Sequence, residues 1–235
     1  MCSQYGEKEG DEDQGKRQKA FPEGNGLRGR NRALPGLRTA YLAATEPKAR
    51  QIYAEMLGML GDATGVETLA GIVSCKIPVE KTRHGANFGE GNHGGDNMRG
   101  FMIALGRTRD ARALEPLLAH LRELTPLSPL GDVRSATLGL GELGSPGAAA
   151  ELAAKLQEEG NHGFAVSDWR SLKPQGGYGE CPEMVSCLRE LAYARALLRC
   201  GDFNGLARKT FTAYAKDPRG VLSAYARAVL KEYGK

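Results

Sequence analysis

The sequence predicts an all-α fold, an α-solenoid of about four to five antiparallel helix pairs with two long polar loops. The main observation is a motif in Leu57–Val73, where an apolar segment runs into a Gly-Asp turn and a second apolar segment follows. The pattern recurs 48 residues later from Leu105, a further 35 residues on from Leu140 and, more weakly, 57 residues after that from Leu197. A basic period of about 35 residues is typical of helix pairs that bury their apolar faces against neighbouring pairs.

The composition agrees with closely packed helices. Of the 235 residues, 41% are hydrophobic, which is enough for a substantial core, and only 6% are aromatic. β-Rich folds favour aromatic and β-branched residues, whereas packed helices favour Ala and Leu. The formal net charge is only +4, with both signs interspersed, so the chain as a whole argues against nucleic acid as a partner.

The cysteines and the hydropathy pattern predict a cytoplasmic protein. Five cysteines, an odd number without a CxxC pair, are typical of free thiols in a reducing compartment. We see no apolar segment after a basic start, as a secretory signal peptide requires, and no apolar run of the roughly 18 residues that cross a bilayer. We therefore expect no membrane partner, although an upstream signal in a longer product would change the localisation.

Residues 1–34 are predicted to be a disordered, polar and basic tail, and residues 35–235 to be the helical-repeat domain. Within the first part, Glu7–Asp13 is acidic, and Lys16–Arg38 has seven Lys or Arg against one Glu. Such a segment buries too little apolar surface to offset its ordering entropy. Its basic residues do not alternate regularly with aromatic residues that would stack on bases, so a solvated tail is favoured over nucleic-acid binding.

Turn and cap signals predict a short first helix, Leu37–Ala44, and then a helix pair, Ala49–Leu60 with Ala63–Ser74. The predicted inward face of the first helix of this pair consists of Ile52, Met56, Met59 and Leu60. Gly61 is expected to end that helix in a left-handed conformation. Asp62 is expected to cap the next helix by accepting hydrogen bonds from backbone N–H groups.

Three further pairs and a closing helix follow in order. They are Asn97–Gly106 with Ala111–Leu124, Asp132–Leu143 with Gly147–Glu158, Pro182–Cys200 with Phe203–Lys216, and a last helix from Asp217-Pro218 to about Tyr233. Asp110 is a predicted cap, and Ser145-Pro146 combines a cap with a proline at the first helical position. Pro116 predicts that its helix starts later or is kinked. Polar insertions at about 75–96 and 159–181 separate the pairs.

The repeated turns resemble the HEAT-like helical repeat family, including the variety found in phycobilisome-lyase-type proteins. The resemblance is carried by Leu57–Asp62 and Leu140–Ser145, covers roughly residues 47–233 and implies the fold without a function. More narrowly, Gly58–Ala70, Ile103–Leu118 and Tyr193–Asp202 resemble the C-terminal repeat region of some bacterial FAD-dependent oxidoreductases. This second resemblance implies that FAD belongs to an N-terminal domain absent from this chain. The chain would then be a helical tail, a truncated relative or a stand-alone relative that itself binds no cofactor.

The Gly-rich insertion contains two weak signals for a ligand site. Gly89–Gly94 spells GxGxxG, but a dinucleotide-binding loop follows a buried strand, and the preceding residues are polar. Cys75, His84, His93 and Asp96 could ligate a metal, but their spacing matches no structural zinc pattern. We therefore predict a solvent-exposed insertion, with no metal and no cofactor.

Cysteine and tryptophan side chains give three other candidates. Cys187 and Cys200 would need a nearby His and a lowered pKa to act as nucleophiles, and their apolar neighbours favour buried structural roles. The single Trp, Trp169, lies in the second long loop. It fits an interface anchor or a side chain that folds back over the core, and the second interpretation is favoured.

The leading hypothesis is a non-catalytic helical-repeat scaffold for a protein or a covalently linked domain. The partner would contact the concave face formed by the second helices of the pairs, which is predicted to be a mixed-charge groove. The predicted contact residues are Glu67, Arg112, Glu115, His120, Arg122, Glu151, Lys155, Arg208 and Lys216. The second hypothesis is an enzyme part whose two inserted loops form a small-molecule site, and the third is nucleic-acid binding through the basic tail. The sequence indicates no oligomeric state.

Overall fold

Residues 24–75, 94–171 and 182–234 are described by the structure, a computed structural model. These ranges contain ten α-helices and no strand, which confirms the all-α prediction. The helices are α1 (Gly24–Ala43), α2 (Pro47–Met59), α3 (Val66–Ser74), α4 (Gly94–Arg107), α5 (Leu114–Glu123), α6 (Leu130–Leu143), α7 (Ala149–Gln157), α8 (Pro182–Cys200), α9 (Leu206–Tyr214) and α10 (Gly220–Tyr233). Short 3₁₀ helices lead into α5, α7 and α9.

Contacts between the helices define two rows. In the first row, α2, α4, α6 and α8 pack one on the next. In the second row, α3 contacts α5, α5 contacts α7, and α7 contacts the 3₁₀ turn that leads into α9. At the ends of the chain, α1 packs on α2, and α10 packs on α9.

The first row is held together by very close backbone approaches at glycine. A Cβ added at Gly58 would lie 2.8 Å from the carbonyl oxygen of Ala104 in α4. A Cβ at Gly106 would lie 2.7 Å from the Cα of Gly139 in α6. The glycine that follows the motif leucine thus allows neighbouring helices to touch through their backbones, which is a packing reason for its recurrence.

The inward face predicted for α2 is wrong. Ala54, Leu57 and Gly58 are buried, whereas Ile52, Met56 and Met59 are 50%, 45% and 41% exposed. The buried and the exposed residues both have helical spacing. The buried set includes the small residues Ala54 and Gly58, and this set allows α4 to pack closely against α2. An apolar strip of α2, formed by Ile52, Met56 and Met59, therefore remains at the surface.

Asp62 has a different role from the predicted helix cap. Its Oδ1 accepts a hydrogen bond from the backbone N–H of Thr64 at 2.9 Å, but α3 starts only at Val66, after Gly65. Its Oδ2 accepts a hydrogen bond from Nε of Arg38 at 2.8 Å. Asp62 therefore stabilises the turn and fastens α1 to it.

The other caps give mixed outcomes. Asp110 accepts a hydrogen bond from the backbone N–H of Arg112 at 2.9 Å, which confirms a cap, although it caps the 3₁₀ turn before α5. Ser145 makes no side-chain capping bond, so that prediction is wrong, while Pro146 takes the first position of the turn as predicted. Pro116 lies in the first turn of α5, because the helix starts later than its apolar pattern.

The N-terminal helix is longer than expected. α1 starts at Gly24, inside the range 24–34 that the sequence assigned to the tail, and contains Pro35 without ending there. Leu34, Leu37 and Tyr41 face the same way along α1 and pack against the core, which accounts for the extension as far back as Leu34. The predicted tail over residues 1–23 lies outside the described residues.

Candidate functional site

The charged residues predicted on the second row lie at the contacts between its helices. Between α3 and the 3₁₀ turn that leads into α5, Nη1 of Arg112 donates to Oε1 of Glu67 at 2.9 Å. Within that turn, Nη2 of Arg112 lies 2.8 Å from Oδ2 of Asp110. Further along the same contact, Nε2 of His120 lies 2.7 Å from the carbonyl oxygen of Val73. The bonds to Glu67 and Val73 join α3 to the segment that contains α5.

The contact between α5 and α7 continues this pattern. Arg122 makes two bonds to the carboxylate of Glu151, at 2.8 and 2.7 Å, and a third to Glu115. These hydrogen bonds, led by those to Glu151, raise the pKa of Arg122, and the bond from Arg122 lowers the pKa of Glu115. Nζ of Lys155 donates to the carbonyl oxygen of Leu124.

Seven of the nine predicted contact residues therefore lie in four successive groups of bonds between α3 and α7, and we call these seven residues the charge ladder. It consists of Glu67, Arg112, Glu115, His120, Arg122, Glu151 and Lys155. The other two residues are elsewhere. Arg208 donates to the carbonyl oxygen of Tyr233 at 2.7 Å, which ties α9 to α10, and Lys216 is exposed after the end of α9.

The ladder is exposed enough to take part in binding. The side chains of Arg112 and Arg122 are 53% and 48% exposed, and that of Glu67 is 82% exposed. Exposed ion pairs of this kind contribute little to stability, because solvent screens the charges. A charged partner can therefore replace individual bonds of the ladder at small energetic cost.

The second long loop is fixed to the core by a buried carboxylate that sequence reasoning missed. Glu190 on α8 accepts hydrogen bonds from the backbone N–H groups of Gly163 and Phe164, at 3.0 and 3.1 Å. It also accepts a 2.7 Å bond from the hydroxyl of Tyr214 on α9. A buried Glu within an otherwise apolar helical pattern was the available signal, because such a residue requires partners.

A second carboxylate fixes the next part of the loop. Asp217 accepts a 2.9 Å bond from the backbone N–H of Val166, and Arg219, paired with Asp217, donates to the carbonyl oxygen of Phe164 at 2.6 Å. Burial alone would raise the pKa of Asp217, but the bonds from Arg219 and Val166 outweigh burial and lower it. Glu190, Asp217 and Arg219 together form what we call the loop clamp.

The two helical cysteines are buried, as predicted. Cys187 contacts Nη1 of Arg219 at 3.2 Å, and Cys200 donates to the carbonyl oxygen of Leu140 at 3.4 Å. Burial raises the pKa of both thiols, that of Cys200 to about 11. Protonated, inaccessible thiols are poor nucleophiles, so both act as core residues.

Trp169 does not cover the core, and the interpretation favoured for it is wrong. Its side chain is 68% exposed and stacks with the guanidinium of Arg170. Phe164 packs against the core instead, because the loop clamp holds the chain there, five residues before the tryptophan. The alternative, that Trp169 is an interface anchor, stays a prediction.

The remaining ligand candidates fall mostly outside the described residues. Gly89–Gly94, His84 and His93 lie in or beside the gap at 76–93, and of the four possible metal ligands only Cys75 has a described side chain, which is exposed. Among the described residues, no group of three or more His, Cys, Asp or Glu could hold a metal ion. In the same ranges, no helix has both the length and the apolar character needed to cross a bilayer.

Comparison with known proteins adds no relative. No protein-family model matches the chain, and no curated protein is significantly similar to it in sequence. The likeness to HEAT-like repeats and to oxidoreductase tails therefore depends on the quoted motifs and stays a prediction.

Proposed function

We propose that this chain is a non-catalytic scaffold, a HEAT-like α-solenoid that holds a partner protein or a covalently linked domain. The observation that carries the proposal is the row-by-row order of contacts, in which each second-row helix neighbours the next and bears exposed charges. Repeat scaffolds use such a row as an extended binding surface. The partner surface would be the charge ladder together with Arg208 and Lys216.

The ladder supports binding by many modest polar contacts. Cations and carboxylates both occur along it, so a partner with the complementary arrangement of charges can be selected over partners with another arrangement. The motifs shared with oxidoreductase tails favour an FAD-dependent oxidoreductase domain as the partner, in cis or in trans. The chain itself would bind no flavin.

Site-specific photo-crosslinking in cells tests the proposal. Benzoylphenylalanine at Ala119, an exposed position on α5, should give adducts with one protein, which mass spectrometry identifies. The matched control is the same probe at Arg134, an exposed position of α6 in the first row. Equal adducts at both positions, or none at Ala119, would contradict the proposed surface.

A charge-swapped pair separates binding from stability. The double variant R122E/E151K keeps an ion pair between positions 122 and 151 in the reverse direction and loses the bond to Glu115. Because these groups are exposed, the fold should be kept while the adduct at Ala119 falls several-fold. An unchanged adduct would remove the ladder from the proposal. Titration of the isolated chain with FAD should leave flavin fluorescence unchanged. If the crosslinked partner binds no flavin, its assignment as an oxidoreductase is rejected, while the scaffold proposal stands.

A further inference from the structure

A second surface lies where the helices of the first row end, at the turns that lead to the second row. Equivalent positions in four successive turns are Met59, Arg107, Glu142 and Arg199, each two residues after the motif leucine. Nη1 of Arg199 donates to Oε1 of Glu142 at 2.9 Å, so this carboxylate is already paired on one side. We call the surface formed by these turns the turn edge.

A pocket of about 280 Å³ opens on the turn edge. Its lining residues are Met59, Leu60, Gly61, Arg107, Arg109 and Glu142. Arg107 reaches toward the neighbouring turn, where its Nη1 lies 3.9 Å from Sδ of Met59. Within the described ranges, neither Arg107 nor Arg109 has a carboxylate at ion-pairing distance, in contrast to Arg38, Arg112, Arg122, Arg199 and Arg219.

The backbone at Arg109 is unusual in the same place. Three of the four equivalent turns have glycine at the left-handed position, at Gly61, Gly144 and Gly201, with φ of 75°, 63° and 119°. The fourth has Arg109, with φ of 54°. A non-glycine residue in this conformation is strained, and such strain is concentrated at functional sites. Here the strained residue is the one that brings a second guanidinium to the pocket.

An apolar strip adjoins the pocket. Ile52, Met56 and Met59 are spaced along one face of α2 and are about half exposed, and Met59 also lines the pocket. Exposed methionines adapt to apolar partner side chains, while a planar guanidinium binds a carboxylate through paired hydrogen bonds. The surface thus joins an anion site with excess positive charge to an apolar strip.

We infer that the turn edge docks an acidic segment of a partner protein that also carries apolar side chains. A carboxylate of the segment enters the pocket and pairs with Arg107 and Arg109, and its apolar residues lie on Ile52, Met56 and Met59. The inference rests on the proposed scaffold function and adds a contact surface separate from the charge ladder. A protein segment fits both halves of the surface, whereas a small anion would use only the arginines.

Selection of peptides on the purified full chain tests the inference. A phage library of random 12-residue peptides is selected on the native chain after depletion on the double variant R107A/R109A. Enrichment of peptides with both acidic and apolar residues is expected, and synthetic copies should bind the double variant at least about tenfold more weakly. The matched control is Arg134→Ala, which removes an exposed first-row arginine away from the turn edge and should leave binding unchanged.

Three outcomes would overturn the inference. They are a selected pool no richer in acidic residues than the starting library, equal binding to R107A/R109A and native chain, and equally strong competition by inorganic phosphate alone. The last would indicate a small-anion site. Each leaves crosslinking at Ala119 unaffected, so failure here is distinguishable from failure of the scaffold proposal.

The variant Arg109→Gly tests whether weaker peptide binding could be caused by loss of folding. Glycine relieves the left-handed strain, so this variant should have a melting temperature at least equal to that of the native chain and yet bind the selected peptides several-fold more weakly. A higher melting temperature with unchanged binding would show that Arg109 contributes nothing to docking and would contradict the inference.

Discussion

Replacement of Gly106 by alanine should destabilise the protein, although alanine is the better helix former. The added Cβ would lie 2.6 Å from the carbonyl carbon and 2.7 Å from the Cα of Gly139, and nearer still to its carbonyl oxygen. Carbon atoms in contact are normally about 3.5–4.0 Å apart. Helices α4 and α6 would therefore have to separate by about 1 Å.

The loss of stability depends on which atoms the added Cβ would clash with, and here they are backbone atoms. Overpacking usually costs about 1–3 kcal/mol, and backbone atoms cannot rotate away, so we take the upper end. Alanine recovers about 0.5–1 kcal/mol of helix stability relative to glycine. The net loss in the free energy of unfolding should be about 2 kcal/mol, which corresponds to about 4–8 °C in melting temperature for a chain of this size.

Urea unfolding followed by circular dichroism measures this loss, and Gly71→Ala is the matched control. Gly71 is an exposed residue of α3 whose added Cβ would meet nothing within 4 Å. Its replacement should stabilise the protein by about 0.4–1 kcal/mol. If Gly106→Ala were as stable as the native chain, or shifted in the same direction as Gly71→Ala, close backbone contact between α4 and α6 would be refuted.

The loop clamp and the thiols lead to three further predictions. Glu190→Ala should cost about 3 kcal/mol because buried hydrogen-bond partners lose their acceptor, and limited proteolysis should cut the second loop sooner; unchanged cleavage would contradict the clamp. Asp217 has a pKa below its ordinary value of 3.8 when folded, so the stability that its carboxylate contributes should be complete above about pH 4 and decline as the pH falls. In urea titrations, Asp217→Asn should have a lower free energy of unfolding than the native chain at neutral pH, and this free energy should fall less steeply in acid. Iodoacetamide should label Cys75 in the native protein and label Cys187 and Cys200 only in urea, as site-resolved mass spectrometry can check, and equal native rates would be incompatible with their burial.

Local signals in the sequence were sufficient for most helix positions. α8 begins and ends at the predicted residues, Pro182 and Cys200, because a proline and a Gly-Asp turn mark its two ends. Cap residues and glycines act within a few positions along the chain, and their effects are therefore visible in sequence. The structure places α6 and α10 within two or three residues of expectation for the same reason.

Contacts between distant residues were not predictable in this way. Arg38 and Asp62 are 24 residues apart, and Glu190 reaches Gly163 across 27, distances over which no spacing rule applies. The inward face of α2 was missed because this helix has apolar residues on more than one face, and only the identity of its neighbour decides which of these faces is buried. The turn edge was missed because Arg109 is informative only when compared with the glycines at equivalent turns.

The order of helix contacts also has a consequence for folding kinetics. Each first-row helix packs on the next one in the row, so stable units can form from consecutive stretches of chain. Folds dominated by such local contacts reach their native state quickly, because little loop-closure entropy is lost before contacts form. During synthesis, α1 to α5 can therefore pack before α8 has left the ribosome, and the loop clamp closes only after α8, α9 and the turn that follows them have been made.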